Sequence, residues 1–84
     1  MKKAYLIQEA VREIGIDEQR VVYYIRNEWI APVEPEHLDQ EDIARARLIS
    51  ELQDVFGVND EAVPIILHLL DQLYARSTQG YREG

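Results

Sequence analysis

The chain has 84 residues, nine Lys/Arg against 16 Asp/Glu, a formal net charge of −7 and no cysteine. That length holds one domain with a modest core, and the lack of cysteine excludes disulfides and thiolate metal sites as supplements to it. The acidic balance, with no strongly basic segment, counts against binding to a phosphate backbone; it fits a basic partner, or solubility alone.

After Met1-Lys2-Lys3 the sequence turns polar at Gln8-Glu9, unlike a secretory leader. No apolar run approaches the length of a bilayer span. A cytoplasmic setting is the expectation. Ile7, Ala10, Val11 and Ile14 recur at i, i+3, i+4 and i+7, which predicts a first helix over Ile7 to Ile14. Gly15 is its natural stop. Asp17 can cap a second helix, with Glu18 in its first turn and Val21, Tyr24 and Ile25 on its buried side, running to about Asn27. The connection is short enough for a helix-turn-helix unit.

The segment from Trp29 to Leu38 contains Pro32 and Pro35, which forbid helix. Trp29, Ile30, Val33 and Leu38 should pin it to the core as an extended arm or stunted hairpin. Asp39 followed three residues later by Asp42 reads as the start of a third helix, Gln40 to Phe56. Ile43, Ala46, Ile49, Leu52 and Phe56 would form its buried face, with Gly57 closing it. Asn59 is expected to cap a fourth helix, with Pro64 near its first turn and an end near Ala75. One domain over residues 1–76 and a mobile polar tail over residues 77–84 complete the expected organisation.

The fourth helix is more apolar than one core requires. Between Val63 and Tyr74, apolar side chains fill an arc of roughly 200°, whereas a helix lying on one core needs about 100°. The surplus centres on Ile65 and Leu69. Another part of the chain, a second copy or a different protein could cover it. With few residues left over, a second chain is favoured, and Ile65 and Leu69 are candidates for self-association.

The order helix, tight turn, helix, proline-bearing arm, helix, helix rests on Tyr5, Ile7, Ala10-Val11, Gly15, Tyr23-Tyr24, Arg26, Pro32, Asp42-Ile43, Ile49, Leu52 and Gly57. This pattern resembles the MerR-type winged-helix domain. The resemblance implies an all-α fold of four helices, with a helix-turn-helix and a short degenerate wing. The departures from it are informative. Val22 stands where DNA-binding members carry an arginine, Glu28-Trp29 replaces a Gly-Leu pair, and the wing is short and acidic. Losing the arginine removes a charge-assisted donor to DNA.

With the stretch Gly57 to Leu73, these departures make the chain similar to the CbpM-type chaperone modulators. That likeness implies binding and inhibition of the J-domain of a DnaJ/CbpA-like co-chaperone, in competition with Hsp70 (DnaK). The carboxylates Asp17, Glu18, Glu28, Glu34, Glu36, Asp39, Glu41 and Asp42 would face the basic partner, and Tyr23 or Trp29 could anchor it. Each has a plainer reading: Asp17 and Asp39 as helix caps, Trp29 as core, Glu41 and Asp42 as first-turn acids.

His37 and His68 lack a second histidine or a cysteine at ligand spacing, so no metal is expected. No Gly-rich phosphate loop is present. Ser50, Ser77 and Thr78 have no base paired with them, so neither enzymatic activity nor a cofactor is expected. The alternatives to co-chaperone binding are a MerR-type DNA-binding regulator using Arg20, Arg26, Arg45 and Arg47, and a structural or antitoxin-like subunit whose fourth helix is buried in an assembly.

Overall fold

The computed structural model describes residues 3–83, and side chains over residues 3–74. The elements in chain order are β1 (Ala4–Leu6), α1 (Ile7–Ile14), α2 (Glu18–Arg26), β2 (His37–Asp39), α3 (Gln40–Asp54) and α4 (Val63–Glu83). The fold is mostly helical, but it is not all-α. β1 pairs antiparallel with β2, matching Ala4 to Asp39, Tyr5 to Leu38 and Leu6 to His37. Tyr5 therefore lies in a strand that runs directly into the first helix. The arm after α2 is half of a ladder whose other half precedes α1. Three-residue strands carry no readable periodicity, and a pairing across more than thirty residues leaves no local mark.

α1 buries Ile7 and Ala10, with Val11 and Ile14 half-buried, as the i, i+3, i+4, i+7 stripe requires. It ends at Gly15, whose φ of 81° is left-handed and whose N–H donates to the Val11 carbonyl at 2.9 Å. Asp17 occupies the N-cap position of α2, but its side chain makes no capping bond. Its backbone carbonyl instead accepts from the Arg20 and Val21 N–H groups at 3.0 and 3.2 Å.

Asp39 and Asp42 form the reciprocal cap expected of them. Asp39 Oδ1 accepts from the Asp42 N–H at 2.8 Å, and Asp42 Oδ2 accepts from the Asp39 N–H at 3.0 Å. α3 stops at Asp54, two residues before Phe56. The chain then turns through Gly57 at φ 68°, and the Val58 N–H donates to the Leu52 carbonyl at 3.0 Å. This turn swings Val58 onto the core and leaves Phe56 70 % exposed. The expected fifth member of the buried α3 face is therefore a surface residue.

Asn59 Oδ1 accepts from the Ala62 N–H at 3.0 Å, so it caps the turn that leads into α4. Pro64 is the second residue of that helix, where its missing N–H interrupts no ladder. The helical backbone runs through Glu83, beyond Ala75. The expectation of a mobile tail falls on residues whose side chains lie outside the described set.

The core gathers Ile7 and Ala10 of α1, Val21 and Tyr24 of α2, Trp29 and Ile30 of the α2 exit, Leu38 of β2, Ala46 and Ile49 of α3, and Val63 and Leu67 of α4. Every element except β1 contributes to it, and Tyr5 of β1 packs on its edge. Among the described residues no charged side chain is buried, and no helix is long and apolar enough to cross a membrane.

Candidate functional site

The site begins at the end of α2. The Trp29 N–H donates to the Tyr24 carbonyl at 3.0 Å, and the Glu28 N–H donates to the Ile25 carbonyl at 2.9 Å. These are the paired bonds of a Schellman stop, which needs a left-handed residue between helix and exit. Glu28 is that residue, at φ 61°. Glycine fills such a position at the lowest cost, and the MerR-type pattern carries glycine there. The apolar contact that accompanies the stop is Trp29 on Tyr24, ring centroids 5.7 Å apart, with Tyr23 meeting the indole edge-on at 5.8 Å. Trp29 is 5 % exposed, so it is a core residue whose edge reaches the surface, not a protruding anchor.

Arg45 ties three segments together at this point. Its Nε donates to the Trp29 carbonyl at 2.6 Å, while Nη1 and Nη2 donate to Asp71 of α4 at 3.0 and 3.2 Å. The hydrogen bonds from Arg45 hold the Asp71 carboxyl below its ordinary range. Between the α2 exit, the start of α3 and α4 runs a groove floored by Trp29, Leu48, Leu67 and Leu70 and rimmed by Glu28, Glu41, Asp42 and the Arg45–Asp71 pair, with Tyr74 at one end. An apolar floor with acidic walls can take an amphipathic basic segment: its apolar side chains fill the floor while its Lys/Arg heads meet the rim.

A second, smaller hollow adjoins the first through Asp42. Ala4, Val33, Glu34, His37 and Asp39 complete it. Its shape is set by a tight turn in which the His37 N–H donates to the Glu34 carbonyl at 3.3 Å. Pro35 and Glu36 are the central residues, and Glu36 has φ 61°. Proline followed by a positive-φ residue is the signature of a type II turn, where glycine is again the usual choice. The Glu36 carbonyl then accepts from the Ile7 N–H at 3.0 Å, tying the turn to α1. Partial burial raises the Asp42 carboxyl above its ordinary value, against the opposing backbone hydrogen bond from Asp39.

Five of the sequence-named carboxylates thus line the two hollows, Glu28, Glu34, Asp39, Glu41 and Asp42, and Glu36 lies in the turn that shapes the second. Asp17 and Glu18 sit at the start of α2 and line neither hollow. Tyr23 is 44 % exposed, and its hydroxyl donates to Asp60, which also accepts from Gln53 Nε2 at 2.7 Å.

Two of the four arginines suited to phosphate contacts are already engaged. Arg20 is bidentate to Asp54 at 2.7 and 2.8 Å, as Arg45 is to Asp71. Arg26 and Arg47 are exposed. Sequence reasoning missed Arg45, Asp71 and Leu48 as groove residues. An arginine between two alanines on a predicted helix was the available signal, since small neighbours leave room for a guanidinium to cross to another element.

On the opposite side of α4, Ile65, Leu69 and Leu73 are 61 %, 58 % and 62 % exposed. This is the surplus face read from the helical wheel. Among the described residues no group of His, Cys, Asp and Glu is placed to hold a metal ion. No protein-family model matches the chain, and no curated protein is similar to it.

Proposed function

We propose that the protein is a cytoplasmic binding module that engages the J-domain of a DnaJ/CbpA-like co-chaperone and blocks its access to Hsp70. The observation that carries this reading is the acid-rimmed groove with Glu28 held on a left-handed backbone. A glutamate in a glycine position costs on the order of 1 kcal/mol of backbone strain. Strain of that kind persists where the side chain has a use, and here the carboxylate stands at the rim of an apolar floor. The sequence resemblance of α1, α2 and the proline arm to the MerR-type pattern supports this reading. Val22, the acidic arm and the commitment of Arg20 and Arg45 to intramolecular carboxylates leave Arg26 and Arg47 as the exposed ones of the four arginines that a DNA-binding role would use.

The test is titration of the full chain with an isolated J-domain at low and high salt. Saturable binding at low salt that weakens with salt is the expected result, because steering charges are screened beyond about 10 Å at 0.1 M. Glu34→Lys with Glu36→Lys should slow association more than it speeds dissociation. Glu28→Lys should weaken affinity by about tenfold or more. Absence of binding at low salt would sink the reading. Specific, salt-sensitive retention of genomic DNA fragments in a gel shift would replace it.

A further inference from the structure

Val33, expected to help pin the arm to the core, does not reach it. It is 89 % exposed, more than any other large apolar side chain among the described residues. Its backbone is nonetheless held. Pro32 and Pro35 stand on either side, the Glu34 carbonyl accepts from the His37 N–H at 3.3 Å, and the Glu36 carbonyl accepts from the Ile7 N–H at 3.0 Å. The arm thus presents an aliphatic side chain at a fixed place, the wall of the smaller hollow.

The floor of that hollow is the outer face of the two-stranded sheet. Tyr5 and Leu38 pair across the ladder and turn to the core, so strand alternation sends Ala4, His37 and Asp39 to the other side. The volume is about 180 Å³, below the roughly 300 Å³ at which pockets for whole small molecules begin. It suits a single side chain. Three carboxylates, Glu34, Asp39 and Asp42, meet the apolar Ala4 and Val33, and none of the described lining residues is a lysine or arginine. The Pro35 carbonyl oxygen, 2.8 Å from His37 Nδ1, can only accept. Nδ1 therefore carries the proton of the neutral ring, and Nε2 is a further acceptor.

We propose that this hollow receives one long basic side chain, lysine or arginine, from the partner that lies in the groove. Its methylene stem packs on Val33 and Ala4, and its charged head sits among the carboxylates. An apolar stem with a cationic tip matches both parts of the lining. A neutral or anionic side chain would leave the carboxylates without a counter-charge. A bare metal ion is a poorer match, because no described group of His, Asp and Glu is placed to hold one. The hollow and the groove share Asp42, so an apolar segment on the groove floor brings a flanking basic residue within reach. Partial burial already holds the Asp42 carboxyl above its ordinary value, and an arriving cation offsets that desolvation. The groove then supplies apolar contact, and the hollow fixes the register of the partner. The identity of the partner rests on the reading given above, whereas the chemistry of the hollow does not.

The first test needs no partner. The isotope-labelled full chain is titrated with Nα-acetyl-lysine amide and with Nα-acetyl-norleucine amide, which has a similar stem and no charge. The lysine compound should shift the amide signals of Val33, His37 and Asp42 saturably at millimolar concentration, and the norleucine compound should not. Asp42→Asn, which keeps the helix cap, combined with Glu34→Gln should remove the shifts while leaving the circular dichroism unchanged. Equal shifts from both compounds overturn the proposal, as do lysine shifts spread evenly over Glu9, Glu13 and Glu61. The second test uses the J-domain. Val33→Ser should raise its dissociation rate about tenfold, and one J-domain lysine or arginine, changed to Gln, should lose its effect in the Asp42→Asn, Glu34→Gln background. A J-domain that binds with no such coupled residue overturns the hollow's role and leaves the groove reading standing. Lysine-selective shifts without any J-domain binding would support the hollow and sink that reading.

Discussion

Glu28 and Glu36 share one backbone property, a φ of 61°, and both were named from the sequence as binding residues for their charge alone. The first closes a Schellman stop and the second a proline turn, and in each case a glycine would relieve the Cβ contact that disfavours left-handed geometry. Glu28→Gly should therefore raise stability by about 0.5–1 kcal/mol in urea unfolding, while lowering affinity in the binding assay described above. A loss of stability would show that Glu28 has a structural role beyond its φ.

Tyr24 presents the opposite case. Its ring is fully buried, and its hydroxyl has no protein partner among the described residues. The Arg20 guanidinium lies 5.9 Å from the ring centroid, and burial raises the phenol above its ordinary value. Removing a buried donor that lacks a partner is expected to be neutral or stabilising by up to about 1 kcal/mol, so Tyr24→Phe should keep or raise the thermal midpoint. A fall of several degrees would mean that the hydroxyl is satisfied in solution.

At the scale of elements, α4 is held by a small apolar contact and one arginine. Val63 and Leu67 reach the core, and Arg45 links α4 to α3 and to the α2 exit. The bond from Arg45 to the Trp29 carbonyl is part-buried, whereas Asp71 is more than half exposed. Arg45→Met should thus cost about 1–3 kcal/mol, through the lost charge-assisted bond and the orphaned carbonyl. Asp71→Asn should cost less than about 1 kcal/mol, since exposed ion pairs contribute little. Equal losses from the two would mean that the ion pair, and not the carbonyl bond, fixes α4.

Acid has a definite sign on these elements. Asp54 and Asp71 have folded pKa values depressed by Arg20 and Arg45. Their contribution is present above the unfolded value of about 3.9 and is lost as pH falls through the folded values. Asp42 is shifted upward by burial, so its contribution is present at low pH and lost as pH rises through its folded value. Thermal midpoints should therefore change little between pH 7 and 5, then fall below about pH 4. The fall should be shallower in 1 M salt, where pairs are screened, and in Arg20→Met. Asp42→Asn should keep the acceptor for the Asp39 N–H and be neutral or mildly stabilising at pH 7.

At the scale of the whole molecule, the two hollows and the α4 ridge lie on different sides of a flat body. The principal extents are 42 × 35 × 19 Å, and the radius of gyration of 13.9 Å exceeds the roughly 12 Å of a compact chain of this length. A thin body has little interior, and so a large share of its apolar residues stays at the surface. The acidic groove and the uncharged ridge are chemically different surfaces of one small domain. Salt should weaken the proposed binding of a basic partner in the groove. Sedimentation runs at low and high salt, with and without the J-domain, read that weakening.

The amino-acid sequence by itself determined what adjacent residues decide among themselves. The Asp39–Asp42 cap, the Gly15 stop, the four helices and the surplus face around Leu69 all rest on spacings of three to seven residues, and the backbone hydrogen-bond geometry enforces those spacings in any context. Tertiary structure decided the rest. It paired β1 with β2, ended α3 before Phe56 and closed Arg20 on Asp54 and Arg45 on Asp71. Those two ion pairs join residues 34 and 26 positions apart. An acidic chain offers each arginine many carboxylates, and only the packing of α2, α3 and α4 selects one. The groove is of the same kind: its rim was legible as a list of charges, but its floor exists only because the core contacts of Val63 and Leu67, together with Arg45, hold α4 beside the exit of α2.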